Sequence, residues 1–414
     1  MKPTCKRHKS FAFATLVIAL LPPSVSLAAD ILDLQVNVSQ TAPAHSVIRF
    51  TLPKELQDGP HFALVRTDNQ QSIPIQIDYS GPSPQAVWML ADELPAGQAR
   101  TYGLTTSAPS YTLSSPVVSL KDDGKHLHMS FNDHPILTYN HALVDSPLDD
   151  QPYYARSGYI HPLYSPTGQI VTDDFNPDHA HQHGIMFAWR KMTFEGRSFD
   201  CWNQKAGLGR VEHLNINSIA SGPVFAYFST ELQHVDLTAP NGPQPVLNEK
   251  WNAHIYAVQD FFLFDLESIQ RCATDKPVTI DKIHYGGMMF RGSADWHCKT
   301  SYDYLTSDGK NKTDGNHSRP NWVDIGGAVT GHLTGVTIFD HTDNFRFPQP
   351  VRLHPKMPYF CFAPAVLDSF TIEPGKPYVS KYRYYVHQGS LNPNIANSLW
   401  QNYVHPASIT VLAQ

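Results

Sequence analysis

Phe261–Ile269 reads FFLFDLESI and Tyr378–Val386 reads YVSKYRYYV. Both stretches are short and built from aromatic and β-branched residues, the composition of strands rather than helices. Outward from them, Val224–Thr230, Val278–Ile283 and Val336–Phe339 repeat the signal, as do Val47–Leu52, Ile73–Ile77 and Ala86–Leu90 nearer the N-terminus. Clusters of Gly, Pro, Asn and Asp separate them. The pattern predicts an all-β protein, a large two-sheet β-sandwich. One helix is expected, near the C-terminus. Asn392 caps it, Pro393 takes its first position, and Ile395, Leu399 and Tyr403 form its apolar face.

Composition agrees. In 414 residues, only 16% are charged, against roughly 25% in a typical soluble domain. The 33 prolines, 19 tyrosines and 21 phenylalanines suit a packed, turn-rich β protein. A net charge of −6 without a long basic run excludes nucleic acid as the expected partner.

The first 28 residues read as a leader outside the fold. Lys2, Lys6, Arg7 and Lys9 precede the apolar run Phe11–Leu21, and Ser26-Leu27-Ala28 is a small-x-small cleavage site. A periplasmic or secreted protein without membrane insertion is expected, because the run falls short of the roughly 20 residues a span needs. Cys5 goes with the leader. The remaining Cys201, Cys272, Cys298 and Cys361 are two disulfides or buried free thiols. A small-polar stretch around residues 105–116 reads as a linker, dividing a small β-domain (29–112) from the large sandwich (113–414).

Chemistry concentrates in Asp173–Trp189, DDFNPDHAHQHGIMFAW. On a strand, the two-residue spacing of His179, His181 and His183 puts three imidazoles on one face. Such a row suits a divalent metal or acid–base work. Pro177 and Gly184 bracket it, and in a loop the argument weakens. His126 and His128 share the spacing in KHLHMS, which reads as a plain surface strand. With 22 histidines in the chain, a polar loop is the alternative for 179–183 as well.

Tryptophans and tyrosines in polar surroundings suggest sugar stacking, with Trp202 and Trp296 the better placed and Trp189, Trp251 and Trp322 further candidates. Glu249 is the carboxylate chosen as general base; a surface Glu paired with Lys250 is the competing reading. The chain has no GxGxxG opening a helix, P-loop, HExxH or GxSxG elbow, so nucleotide-dependent redox chemistry, phosphoryl transfer and elbow-type hydrolysis drop out.

The strings Arg156–Gly168, Asp178-His179-Ala180-His181, Phe187-Ala188-Trp189, Tyr285–Arg291, Trp322–Gly327, Gly335–His341 and Tyr382–Gly389 resemble the bacterial family catalogued as methane oxygenase PmoA. The resemblance implies a secreted sandwich of the galactose-mutarotase or lyase type. It carries over to His179 and His181, but not to His183. The resulting expectation is a carbohydrate-active enzyme working by proton transfer, as epimerase, lyase or hydrolase. His179, His181 and Glu249 would be catalytic, and His179 with His181 could hold a divalent metal. Arg156, His161, Trp189, Trp202, Arg291 and Trp322 would bind substrate. The alternatives are a non-catalytic carbohydrate-binding protein and, from the family name, a copper-dependent oxygenase.

Overall fold

The computed structural model describes residues 31–57, 61–106, 117–297 and 301–413. The leader, linker residues 107–116 and Cys298 lie outside them. Two eight-stranded antiparallel sheets, together with a smaller four-stranded one (197–199, 192–194, 278–280 and 370–372), make up the large unit. One runs in the order 209–220, 225–236, 244–257, 261–272, 378–388, 332–340, 322–329 and 302–306. The other runs 351–353, 359–362, 287–291, 185–188, 159–163, 134–140, 126–131 and 118–122.

The opening pair of strands lies at the centre of the first sheet, with Phe264 opposite Tyr384 and their rings stacked 4.3 Å apart. Phe262, Phe264, Leu266, Tyr382, Tyr384 and Val386 enter the main core. The intervening Leu263 and Tyr385 enter a second cluster on the opposite face, with Leu399 and Trp400 of the helix and Val87 of the small unit. Both faces are therefore covered, which is why these strands read as near-continuous apolar runs rather than alternating ones. Between them, Arg383 makes a bidentate pair with Asp265 at 2.6 and 2.8 Å, beneath the ring of Tyr403.

The helix spans Pro393–Val404, and the Asn392 side chain accepts the Asn394 N–H at 3.0 Å. Its buried face is Ala396, Leu399, Trp400 and Val404, while Ile395 is exposed. The expected face was rotated because Trp400, whose indole donates to the Asp340 carbonyl, outweighs Ile395 as an anchor.

The small unit has a five-stranded and a three-stranded sheet. Pro74 cannot donate to a ladder and splits the expected strand 73–77: Ser72–Ile73 joins one sheet, Ile75–Asp78 the other. The last strand, Ser408–Leu412, pairs with Leu32–Asn37 in the small sheet, so the chain returns to its starting unit. Polar contacts lock the units together, because Asp78 accepts from Arg49 at 2.6 Å and from His254 of the large sheet at 2.8 Å. Cys201, Cys272 and Cys361 are free thiols, which removes the two-disulfide alternative. Among the described residues no helix is long and apolar enough to cross a membrane.

Candidate active site

Residues 173–184 form a loop, not a strand. Its turns are closed by His179 N–H to Asn176 C=O and Gln182 N–H to His179 C=O, both 2.9 Å. At its end Gly184 adopts φ +38°, and a Cβ there would strike the Ile160 carbonyl oxygen, so the position requires glycine. The loop breaks the same-face arrangement. His179 and His181 stay together, ring centroids 5.4 Å apart, whereas His183 turns into the interior and donates to Asp174 at 2.6 Å.

His179 and His181 line a cavity of about 260 Å³. His354, just past the edge strand Val351–Leu353, lines it as well, its ring edge-on to that of His179 at 6.1 Å. His284, Arg352, Gln182 and Asn203 add polar groups, and Trp202, Tyr285 and Tyr359 supply aromatic walls. Trp202 meets Tyr285 and Tyr359 edge to face at 5.4 and 5.9 Å. None of the described residues lining the cavity carries a carboxylate.

The electrostatics follow from that lining. Burial, then His179, His183 and the Arg291 and Arg190 guanidiniums, lower the His181 imidazole to about 3. Burial and the neighbouring Arg352 and His179 lower His354 to about 4. His179 is lowered by burial and Arg291 against the opposing pull of Asp178, and His284 by burial and Arg352. Four neutral imidazoles thus share one hollow with a guanidinium. His179 also keeps a buried Nδ1 without a partner.

Arg291 works behind this wall. It is buried, donates to Gln182 Oε1 at 3.1 Å and to Met357 Sδ at 3.2 Å, and pairs with Asp173 at 3.6 Å. One guanidinium therefore ties the histidine loop to the segment carrying His354. It is not among the described residues lining the cavity.

The other expected site residues lie elsewhere. Glu249 is neither a surface residue nor in the cavity. It is buried in the sheet and accepts from His234 Nε2 (2.7 Å), Trp251 Nε1 (2.7 Å) and Ser268 Oγ (2.5 Å). Arg156 is buried in the core, its guanidinium donating to the Phe187 carbonyl at 3.3 Å, and burial lowers that guanidinium to about 10. His161 lies against Thr172, 2.9 Å from its hydroxyl. The Trp189 indole donates to Gln270 and is packed in the core, and Trp322 packs on the helix, donating to Asn397. Trp202 alone of the five expected platforms borders the cavity, and Trp296 and Trp251 are buried in the main core. Sequence reasoning missed His284, Arg352, His354 and Tyr359. Tyr285 and Arg291 fell within a quoted string with His284 one residue ahead of it, but nothing local marked Arg352 or His354.

A larger cavity of about 480 Å³ lies where the small unit meets the large one, walled mainly by apolar groups such as Ile73, Met89, Phe131, Val224 and Phe261. Its titratable residues are His45 and Asp260, and it has no comparable convergence of chemistry.

The family that matches the chain, over residues 126–401, is DUF6807, described as a family of unknown function. This overturns the resemblance to methane oxygenase PmoA, and the copper-oxygenase reading, which came from that name, goes with it. No curated protein matches the sequence. Similar solved structures include an α-mannosidase from Enterococcus faecalis V583, 11% identical, covering 93% of this chain and 47% of that one at a TM-score of 0.44. A glycosyl hydrolase family 38 protein from Enterococcus faecalis is 9% identical, covering 92% and 47%, at 0.42. A putative aldose 1-epimerase from Escherichia coli K12 is 11% identical, covering 66% of this chain and 99% of that one, at 0.29. The chain spans about half the length of the first two. These similarities describe general β architecture and assign no activity.

Proposed function

The chain belongs to the DUF6807 family, and we propose that its histidine-lined cavity binds a single sugar ring and moves protons on it. The observation carrying the proposal is the convergence of His179, His181, His284 and His354 on one hollow walled by Trp202, Tyr285 and Tyr359. Aromatic faces accept the apolar C–H patches of a sugar, and imidazoles, amides and a guanidinium serve its hydroxyls. The volume is below the roughly 300–1,000 Å³ of drug-sized sites, which suits one ring rather than an extended glycan. The leader read at residues 1–28 makes this a proposal for an exported protein.

The lining also narrows the chemistry. Hydrolysis by two carboxylates about 5–9 Å apart has no counterpart among the lining residues. Epimerisation or elimination, with one imidazole taking a proton and another giving one, uses the groups present. His179 and His354, edge-on neighbours in the cavity lining with ring centroids 6.1 Å apart, are the pair assigned to that exchange. A binding-only role is the second reading, favoured by the low basicity of His181 and His354.

The test is a proton NMR time course with a panel of neutral and acidic monosaccharides. It follows anomer equilibration, C–H exchange with solvent deuterium and the appearance of unsaturated products. Turnover that disappears in the His179→Ala/His354→Ala variant, with ligand still bound, supports catalysis. Binding without turnover in the native protein, weakened by Trp202→Phe, supports the second reading. Absence of both binding and turnover across the panel defeats the proposal.

A further inference from the structure

Far from the cavity in sequence, the turn and strand at Asp123–His128 gather three metal-ligating side chains. His126 Nδ1 and His128 Nε2 each lie 3.0 Å from the same oxygen, Asp123 Oδ2. The arrangement follows from local structure. His126–Phe131 is a strand, so Leu127 points into the core while His126 and His128 share the outer face. Asp123 is pinned by the turn that follows it. Its Oδ1 accepts the backbone N–H groups of Lys125 and His126 at 2.8 and 2.7 Å, which leaves Oδ2 facing the two rings.

We propose that Asp123, His126 and His128 form a site for a divalent cation of the zinc class. All three ligand atoms lie within 4.8 Å of one another. With zinc–nitrogen and zinc–oxygen bonds of about 2.0–2.2 Å, tetrahedral neighbours stand roughly 3.3–3.5 Å apart. Two edges of that figure are nearly in place, and rotation of the half-exposed His128 ring closes the third. The proton bookkeeping also works. The carboxylate is the anionic ligand, and each neutral ring gives its inward nitrogen to the metal while carrying its proton on the other. For His128 that other nitrogen is Nδ1, 3.2 Å from the Thr138 hydroxyl on the neighbouring strand. Thr138 is the outer partner that orients a metal-bound imidazole. Side-chain exposures of 47%, 31% and 48% leave the remaining coordination positions to water.

The experiment is calorimetric titration of the full chain with zinc chloride, repeated on three variants. The native protein is expected to bind one equivalent that is lost in His126→Ala/His128→Ala and retained in His179→Ala/His354→Ala, which controls for the cavity imidazoles. Thr138→Val keeps the ligands but removes the outer contact, and is expected to weaken binding about tenfold or more. Circular dichroism confirms the fold of each variant. No zinc binding by the native protein overturns the assignment, and so does binding that survives loss of both His126 and His128.

Discussion

Replacing Glu249 by Gln separates a structural carboxylate from a catalytic one. Trp251 and Ser268 both donate to Oε1, and His234 donates to Oε2. In the amide, Oε1 is kept but Oε2 becomes a second donor facing the His234 N–H. Two bonds then weaken from charged to neutral, from about 1.5–3 kcal/mol to about 1 kcal/mol each. His234 must also break its bond or move its proton to Nδ1, which is buried without a partner, and that adds about 1–3 kcal/mol. The sum is a loss of about 2–7 kcal/mol, centred near 4.5 kcal/mol. In a protein of this size, at roughly 1.2 °C per kcal/mol, the melting temperature falls by about 5 °C. The assay is urea unfolding followed by far-ultraviolet circular dichroism, with the midpoint lowered and the slope unchanged. Sugar binding by the folded variant should match that of the native protein. A stability change under about 0.5 kcal/mol together with abolished turnover would refute the reasoning and restore Glu249 as a working base.

Further outcomes follow from the same geometry. His181 and His354 titrate near 3 and 4 in the folded chain and near 6.5 unfolded, so the unfolded state holds more protons between these values. Stability should fall as pH drops from about 6.5 to 4, and His354→Asn should flatten that slope in urea midpoints taken across the range. Arg291→Met removes the partner of Asp173 and the tie to Gln182. It should cost about 3 kcal/mol by denaturation and weaken sugar binding in the folded fraction. Asp78→Asn leaves Arg49 and His254 facing a neutral group at the junction of the two units. A loss of about 1.5–3 kcal/mol is expected, with earlier protease cleavage between the units.

The strands were legible because aromatic and β-branched runs have few other uses. Phe261–Cys272 and Tyr378–Gln388 lie where the composition put them, and Asn392-Pro393 marked the start of the helix. Pairing across the sheet was not legible. It is the pairing of Gly287–Arg291 with Ile185–Ala188 on one side and Tyr359–Phe362 on the other that brings Val351–Leu353, and so His354, beside His179. The two pairings of Gly287–Arg291 join residues 68 to 105 positions apart in the chain and leave no local pattern. Trp189 and Arg156 misled for a related reason. Burial is decided by neighbours from other strands, and a polar flanking sequence says little about it.

The two histidine pairs at two-residue spacing show why spacing alone was a weak guide. His126 and His128 looked like the uninformative pair, and His179 and His181 the informative one. A true strand carries the first pair, so the period of two holds and both rings meet one carboxylate. A loop carries the second, so the period fails at His183, and the two rings that remain owe their convergence to turns and to Gly184. The chemistry differs accordingly. Rings converging on an anion suit a cation, whereas rings held neutral by burial and flanked by guanidiniums suit a ligand that brings its own negative charge or exchanges a proton. An acidic sugar entering the cavity should therefore bind with proton uptake near pH 5, since its charge opposes the lowering of His181 and His354. Calorimetry in two buffers of different ionisation enthalpy reads that uptake directly, and equal apparent enthalpies in both would rule out the coupling.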